Sequence, residues 1–582
     1  MTNPVTELLS DDAGAAAPAR AARPRGGTIS GALKALYVAV FAVVAFLALM
    51  PVAALVFGSF RDAAPSLPSH WTLANWAGLA SPGVIGTLLT TLAISGATTI
   101  LSMVLGTAIA LVVLRTDFRW PNLMTLLLGV SFYFPSFILA MAWIIIGSPG
   151  GLINGLLVDV LGLEGLAVDI YTGAGIVFVM VLHMVPFVFL AMRGPIQGMD
   201  PAYEEAARAA GAGAFTMLRK VTLPLLSYAL VSCGLLTFIM SLEQFGIPVL
   251  IGTPGRVTVL ATQVYLLCRF PPTDYGLAAA VGLTLSALTA VAILAQRRLA
   301  RGGRQVVTTG KAGRIAPVRL GRWRWAANGL CAGYLLLALV LPTLILIYTS
   351  LIKYFTADPL EAAYTLRNYL YLVESESARR ALSNTLIVSG LGAAIGVAIG
   401  ALSSYFTVRA KPAGHRLLDI AVMVPFGVPG IVLGLGLLWA YAFLPLPLYG
   451  TLAIIILAYV TRFLPYATEA VGARLVQLDR SLEEAAWTAG ASRIQGVRRI
   501  LLPLASPALQ SGYFLLFMAF FREISATILL FSASTAVLSV AIWEAFEQAN
   551  WGVASALSLV ATLIMVLVMS LLLWLMPSAR LR

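Results

Sequence analysis

Long stretches of this chain carry no charged residue, and that property decides the solvent in which it can fold. Uncharged runs cover residues 35–60, 81–114, 120–158, 170–192, 221–242 and 275–296, then 325–352, 381–408, 420–461, 500–521 and 548–579. A helix needs about 20 apolar residues to cross a hydrocarbon layer ~30 Å thick. Inside that layer every backbone polar group must find its partner within the segment, so such runs read as spanning helices. The run 420–461 holds two spans around the turn Leu444-Pro445-Leu446-Pro447, the second continuing past Arg462 toward Glu469. The fold expected is an all-α polytopic membrane protein with about 12 transmembrane helices and no β domain. A water-soluble core is excluded, because 60% of the 582 residues are hydrophobic and only 11% are charged.

The net charge of +13 invites a nucleic-acid reading, but its placement argues for topology instead. With the amino terminus inside, most of the 38 Lys and Arg residues fall on the cytoplasmic side. The densest group, Arg297 to Arg324, contains no acid and reads as a basic linker, 297–324, between a first transmembrane domain, 33–296, and a second, 325–582. Residues 1–32, rich in Ala, Pro and Arg, read as a disordered cytoplasmic tail. The first run is too long for a signal-peptide core and reads as a retained helix. Cys233, Cys268 and Cys331 lie far apart, with no disulfide or zinc spacing.

The chain also repeats itself. Glu204-Glu205-Ala206-Ala207-Arg208-Ala209-Ala210-Gly211 returns as Glu483-Glu484-Ala485-Ala486-Trp487-Thr488-Ala489-Gly490, and Leu223-Pro224, Pro186 and Asp200 return as Leu502-Pro503, Pro465 and Asp479. Upstream, Thr91-Leu92, Gly106 and Arg115 match Thr385-Leu386, Gly400 and Arg409 at a larger offset. The first copy therefore carries an insertion, which falls in the outside loop around Ile153 to Thr172. Two tandem pseudo-symmetric six-helix halves follow.

Each repeated loop reads as two short helices joined by a bend. Asp200 is placed to cap a helix that starts at Pro201, and Ser481 with Glu484 offers a capping box. Glutamates in the first turn suit the helix dipole, and Glu204 can meet Arg208 one turn on. Gly211 and Gly490 stand where the first helix must turn into a second, basic one, before Pro224 or Pro503 opens the next span.

The spacing Glu-Ala-Ala, three residues, Gly, then Leu-Pro, present as Glu205 to Pro224 and again as Glu484 to Pro503, resembles the EAA loop of type I ATP-binding-cassette importer permeases. The chain is identified as a fused, two-domain member of that family. The resemblance implies a multi-pass protein of the bacterial inner membrane, with two copies of an ATPase subunit docked on the loops and a periplasmic substrate-binding protein outside. Glu204, Glu205, Ala206, Ala207, Gly211, Leu223 and Pro224, with Glu483, Glu484, Ala485, Ala486, Gly490, Leu502 and Pro503, would form the coupling loops. Trp487 in place of Arg208, and Ser492 in place of Gly213, imply unequal docking sites.

No catalytic or metal-ligating set is expected in this chain. None of the five lysines precedes Ser or Thr, so no P-loop is present, and ATP and Mg would belong to the partner ATPase. His70, His183 and His415 are scattered. A secondary transporter could also have two six-helix halves, but it leaves the paired loops unexplained.

Among such permeases, fused chains of this length resemble the iron(III) importers, with thiamine, polyamine and aminoalkylphosphonate importers as relatives. Ser241-Leu242-Glu243-Gln244-Phe245-Gly246 and Phe521-Arg522-Glu523-Ile524-Ser525-Ala526 carry the iron-type likeness. Glu243, Gln244, Arg522 and Glu523 are charged or polar residues at span ends and so candidate pathway residues. Counting ~1.5 Å per residue from Pro224 places Gln244 about 30 Å along its helix, near the outer surface.

Overall fold

The structure, a computed structural model, describes residues 31–163, 165, 167–302, 318–356, 362–443 and 448–575. Most of the tail, the middle of the linker and the turn 444–447 lie outside the described residues. Among these residues there is no strand, only three isolated β-bridges. Eleven helices are long and apolar enough to cross a membrane, and one bent pair makes up to twelve.

The first half contains α1 (Gly31–Ser59), α2 (Pro82–Arg115), α3 (Pro121–Tyr133), α4 (Ser136–Gly147), α5 (Gly173–Gly198), α6 (Pro201–Ala209), α7 (Phe215–Leu242), α8 (Gly246–Gly252), α9 (Leu260–Arg269) and α10 (Tyr275–Gly302). The second half contains α11 (Gly321–Ser350), α12 (Glu376–Ala410), α13 (His415–Gly427), α14 (Gly430–Phe443), α15 (Leu452–Gln477), α16 (Ser481–Thr488), α17 (Arg493–Phe521), α18 (Leu538–Glu547) and α19 (Trp551–Leu575). The outward faces stay apolar. Leu89, Ile100 and Val104 on α2 and Trp574 on α19 are exposed, as a lipid-facing surface requires. Helix α10 continues to Gly302, so the first basic residues of the expected linker are helical.

The third span of each half is broken, which the uncharged runs did not reveal. In the first half α3 ends before Phe134-Pro135, and in the second α13 ends before Val428-Pro429. The residue before proline is pushed out of the helical region. Phe134 and Val428 accordingly have ψ of 123° and 109°, and α13 and α14 meet at 109°.

Small residues let the repeated core close tightly. A Cβ on Gly106 would lie 2.7 Å from Val188 Cβ, and one on Gly400 would lie 2.7 Å from Ala467 Cβ, so α2–α5 and α12–α15 cross at the same point in each half. The matched threonines have matched work. Thr91 Oγ1 accepts from the Leu260 amide at 2.9 Å and Thr385 Oγ1 from the Leu538 amide at 2.6 Å, satisfying a free donor at the start of α9 and α18. Gly400→Val is expected to destabilise the protein by about 1–3 kcal/mol through overpacking. A melting curve in detergent would register it, and a wild-type midpoint would refute the crossing.

The repeat reaches further upstream than the sequence match. Asn75 Nδ2 donates to the carbonyls of Ser59 and Arg61, and Asn368 Nδ2 donates to those of Ser350 and Ile352. Each asparagine ties the chain back onto the end of its half's first helix. Those first helices cross over. Gly436 of α14 lies against the Pro51 carbonyl of α1, Trp439 fills the space beside Gly58, and Tyr37 packs edge-on to Phe406 of α12 at 5.3 Å. In return Tyr334 of α11 donates to the Leu182 carbonyl of α5 at 2.8 Å. Each first helix thus packs on the opposite half.

Candidate coupling loops and central cavity

Each repeated loop folds as one short helix that turns at a glycine into the beginning of a long one. Asp200 caps α6 by accepting from the Ala202 amide, as its position predicts. Gly211 and Gly490 have φ of +82° and +85°, a left-handed conformation that disfavours any residue with a Cβ. The capping box expected at Ser481 and Glu484 is corrected by the structure. Arg480 occupies the cap position of α16 without a side-chain bond, and Asp479 accepts from the Ser481 amide instead. A capping box does form one helix later, between Ser492 and Gln495, where the first copy has Gly213.

Pro224 and Pro503 do not start new helices either. Helices α7 and α17 run through them, and a five-residue π segment precedes each Leu-Pro, Leu218–Thr222 and Val497–Leu501. Proline lacks the amide of the helical ladder and crowds the carbonyl four residues back, and a wider turn relieves both. The second helix of each loop is therefore continuous with a spanning helix.

The two glutamates of each loop separate by burial. Glu204 and Glu483 point inward at 4% and 7% exposure, whereas Glu205 and Glu484 are exposed. Glu204 does not engage Arg208. It lies 3.7 Å from Arg115 Nη2 and accepts from the Thr222 hydroxyl at 3.1 Å. Glu483 lies 3.3 Å from Arg409 Nη1. Arg409 also donates to the carbonyls of Leu475 and Leu478, and Arg115 to that of Met199. A buried Arg–Glu strut thus joins each loop to the ends of the second and fourth spans of its half. Burial raises the Glu483 carboxyl above the ordinary carboxylate range, with Arg409 opposing that rise. Of the remaining loop residues, Ala206 and Ala485 are exposed, and Ala207 and Ala486 are half-buried beneath them.

All four candidate pathway residues line one cavity of about 140 Å³. Glu243, Gln244, Arg522 and Glu523 face it together with Ser136, His183, Arg462 and Tyr466. Arg462 joins the halves: its Nη1 lies 2.9 Å from Glu523 Oε1 and its Nη2 lies 3.6 Å from Glu243 Oε2. Glu523 Oε1 also accepts from the Ala526 amide. Arg522 donates to the Phe132 carbonyl at 2.7 Å and lies over the Phe132 ring, placing a cation at the broken end of α3, where unpaired carbonyls favour it.

The depth expected for Gln244 is corrected by this arrangement. Arg462 and His183 lie about 15 Å into α15 and α5 at ~1.5 Å per residue, near mid-span. Taking Pro224 as the inner membrane face overstates that depth, because Glu243 meets Arg462 at the middle of α15. Beyond Glu243 the chain continues into the buried α8 and on to α9. Sequence reasoning also missed Arg462 and His183 as partners. They correspond to each other at the loop offset, and comparing polar residues within matched spans would have exposed them. So would Ser136 and Gly430, matched at the upstream offset: a Cβ on Gly430 would lie 1.5 Å from Arg462 Nη1, so glycine makes room for the guanidinium.

The family model for the binding-protein-dependent transport system inner membrane component matches this chain twice, over residues 102–305 and 392–581, and each match contains one loop and its strut. The ferric transport system permease protein of Actinobacillus pleuropneumoniae is 26% identical over 565 residues, 95% of this chain and 79% of that one. A putative ferric transport system permease protein of Haemophilus influenzae is 32% identical over 380 residues, 64% of this chain and 58% of that one. A chain of a bacterial alginate ABC transporter, solved with its periplasmic protein, aligns over 44% of this chain and 95% of its own at 18% identity, with a TM-score of 0.36.

Proposed function

The chain belongs to the family of binding-protein-dependent transport system inner membrane components, as a fused permease with both halves in one polypeptide, and from that premise we propose that it imports ferric iron with two copies of a separate ATPase and a periplasmic binding protein. The observation that carries the coupling part is the duplicated loop, in which a buried strut leaves one glutamate outward in each copy. Two such ends offer two corresponding, though not identical, places for a nucleotide-driven partner. ATP and Mg reside on that partner, and the loops face the cytoplasm together with the amino terminus. The naming of two similar proteins as ferric permeases supports iron as the substrate.

Glu205 and Glu484 head the docking surfaces, and Gly211 and Gly490 set their shape. Because α7 and α17 continue each loop without a hinge, movement of an ATPase would tilt these helices and shift Glu243 and Glu523 at their far ends. The cavity between the halves is the constriction of the pathway.

Reconstitution with the neighbouring ATPase and binding protein tests this reading. Ferric uptake into vesicles should require both partners and ATP. The complex should contain one 61.6 kDa permease chain for two ATPases. Two permease chains around one pathway, or uptake indifferent to ATP, would refute it.

A further inference from the structure

Arg462 sits near mid-span, where a cation is costly, and it is held by carboxylates from both halves. A simple structural pair would need only one acid. Here Glu243 comes from the end of α7, Glu523 from the end of α17, and the guanidinium lies between them against Gly430, which leaves no room for a side chain. The same cavity exposes His183, whose buried Nδ1 has no partner. The free space, about 140 Å³, is enough for several water molecules or a partly hydrated ion. Among the described residues no three carboxylate, imidazole or thiol groups converge in metal-binding geometry in this state. The guanidinium occupies the position between the two acids that such a site would need.

We propose that Arg462 is a tethered stand-in for the transported cation: it bridges the Glu243–Glu523 pair between turnovers, and the passing cation displaces it and is held transiently by the two carboxylates, with His183 as a further neutral ligand. This rests on the ferric-import reading and adds where the ion is held within the permease. A trivalent cation outcompetes a guanidinium for paired carboxylates because its charge is larger and more compact, so the exchange favours the substrate over smaller charges. When the halves part, Glu243 and Glu523 separate and the ion is released. With no substrate, Arg462 returns between the two acids and the constriction is closed. Arg522 takes no part in the exchange, since it remains bonded to the Phe132 carbonyl.

The test uses the complete complex with its ATPase and binding protein in proteoliposomes, with radiolabelled ferric iron as the probe. Arg462→Gln is expected to raise ATP-independent ferric leakage about tenfold and to give the purified complex saturable ferric binding that the wild type lacks, because the acid pair is left open. The triple variant Glu243→Gln/Arg462→Gln/Glu523→Gln separates a transport role from a structural one. Removing all three charges leaves no buried ion unpaired and so spares a merely structural role, so wild-type uptake in the triple variant would overturn the proposal; uptake at least about tenfold below wild type is expected. Should Arg462→Gln fail to assemble, Arg462→Lys keeps the charge but cannot bridge both acids, and should show raised leakage with reduced uptake. Wild-type leakage and uptake in that variant would overturn the proposal. Ferric uptake by the wild type, with neither leakage nor binding in an assembled Arg462→Gln complex, would overturn this proposal alone. No ferric uptake by the wild type would overturn the substrate reading and this proposal with it.

Discussion

Glu484→Arg is expected to leave the permease folded and inserted while releasing the ATPase from the second half, with uptake falling at least about tenfold, the scale of reversing one charge in a docking contact. The side chain is exposed and, among the described residues, makes no hydrogen bond or ion pair that its loss would break, unlike its neighbour Glu483. Gly490→Trp should reach the same end by another route. Nothing lies within 4 Å of a Cβ at Gly490, so the bulk itself is tolerated inside the chain. The left-handed backbone is not, and costs of the order of 1–3 kcal/mol for a residue with a side chain. The indole would also project from the surface that an ATPase must approach. Glu205→Arg and Gly211→Trp test the first copy. The second turn is braced by the Ser492–Gln495 capping box and by Arg493 lying over the Trp487 ring, whereas Gly213 stands in place of Ser492 in the first. Strain at Gly211 should therefore disorder its loop more than strain at Gly490. Affinity purification with the ATPase, followed by vesicle uptake, measures both effects. Full retention and full transport in all four variants would show that these loops do not couple.

Arg409→Met is expected to be the most destabilising single change around the repeated loops, at about 3–5 kcal/mol, because it leaves a buried carboxylate without its closest cation. It also deprives the Leu475 and Leu478 carbonyls of their donor. The pH dependence has a definite sign. Burial already raises the Glu483 carboxyl, and without Arg409 to oppose it the rise grows. A carboxyl raised above its unfolded value favours the folded state when protonated, so the variant should be more stable at mildly acidic pH and lose stability as pH rises through that value. Arg409→Met/Glu483→Leu removes both charges and should recover most of the stability. Melting curves at several pH values would decide. An Arg409→Met midpoint equal to wild type, or one that rises with pH, would show that the strut carries no load.

The spans and the repeat were legible because each rests on local pattern: charge-free length for the spans, and fixed spacing for Glu204 and Glu483. The bend at each loop followed from glycine alone. What stayed hidden depends on residues distant in sequence. Arg115 and Arg409 could be aligned, but nothing local to them says that each meets the first glutamate of a loop. Arg462 looked like an interruption near the end of a span, because its partners come from two different helices. Pro135 and Pro429 break their spans, but the apolar runs around them concealed both the breaks and their meeting at one cavity. The capping box was misplaced because Ser481-Leu482-Glu483-Glu484 and Ser492-Arg493-Ile494-Gln495 both fit the pattern, and the helix began one residue early.

The exchanged first helices set an order of events during synthesis. When α1 leaves the ribosome, the part of α14 that receives it, around Gly436, is almost 400 residues from being made, which is on the order of 20–80 s at ~5–20 residues per second. Until then the face of α1 around Pro51 and Gly58 can meet only lipid or a passing chaperone. The nascent first half therefore enters the bilayer with α1 able to pack on α10 of its own half but with its clasp to the second half unfastened. Only after α14 is inserted does the clasp close, so a chain stopped at the linker would lack the surface that α1 is shaped to grip.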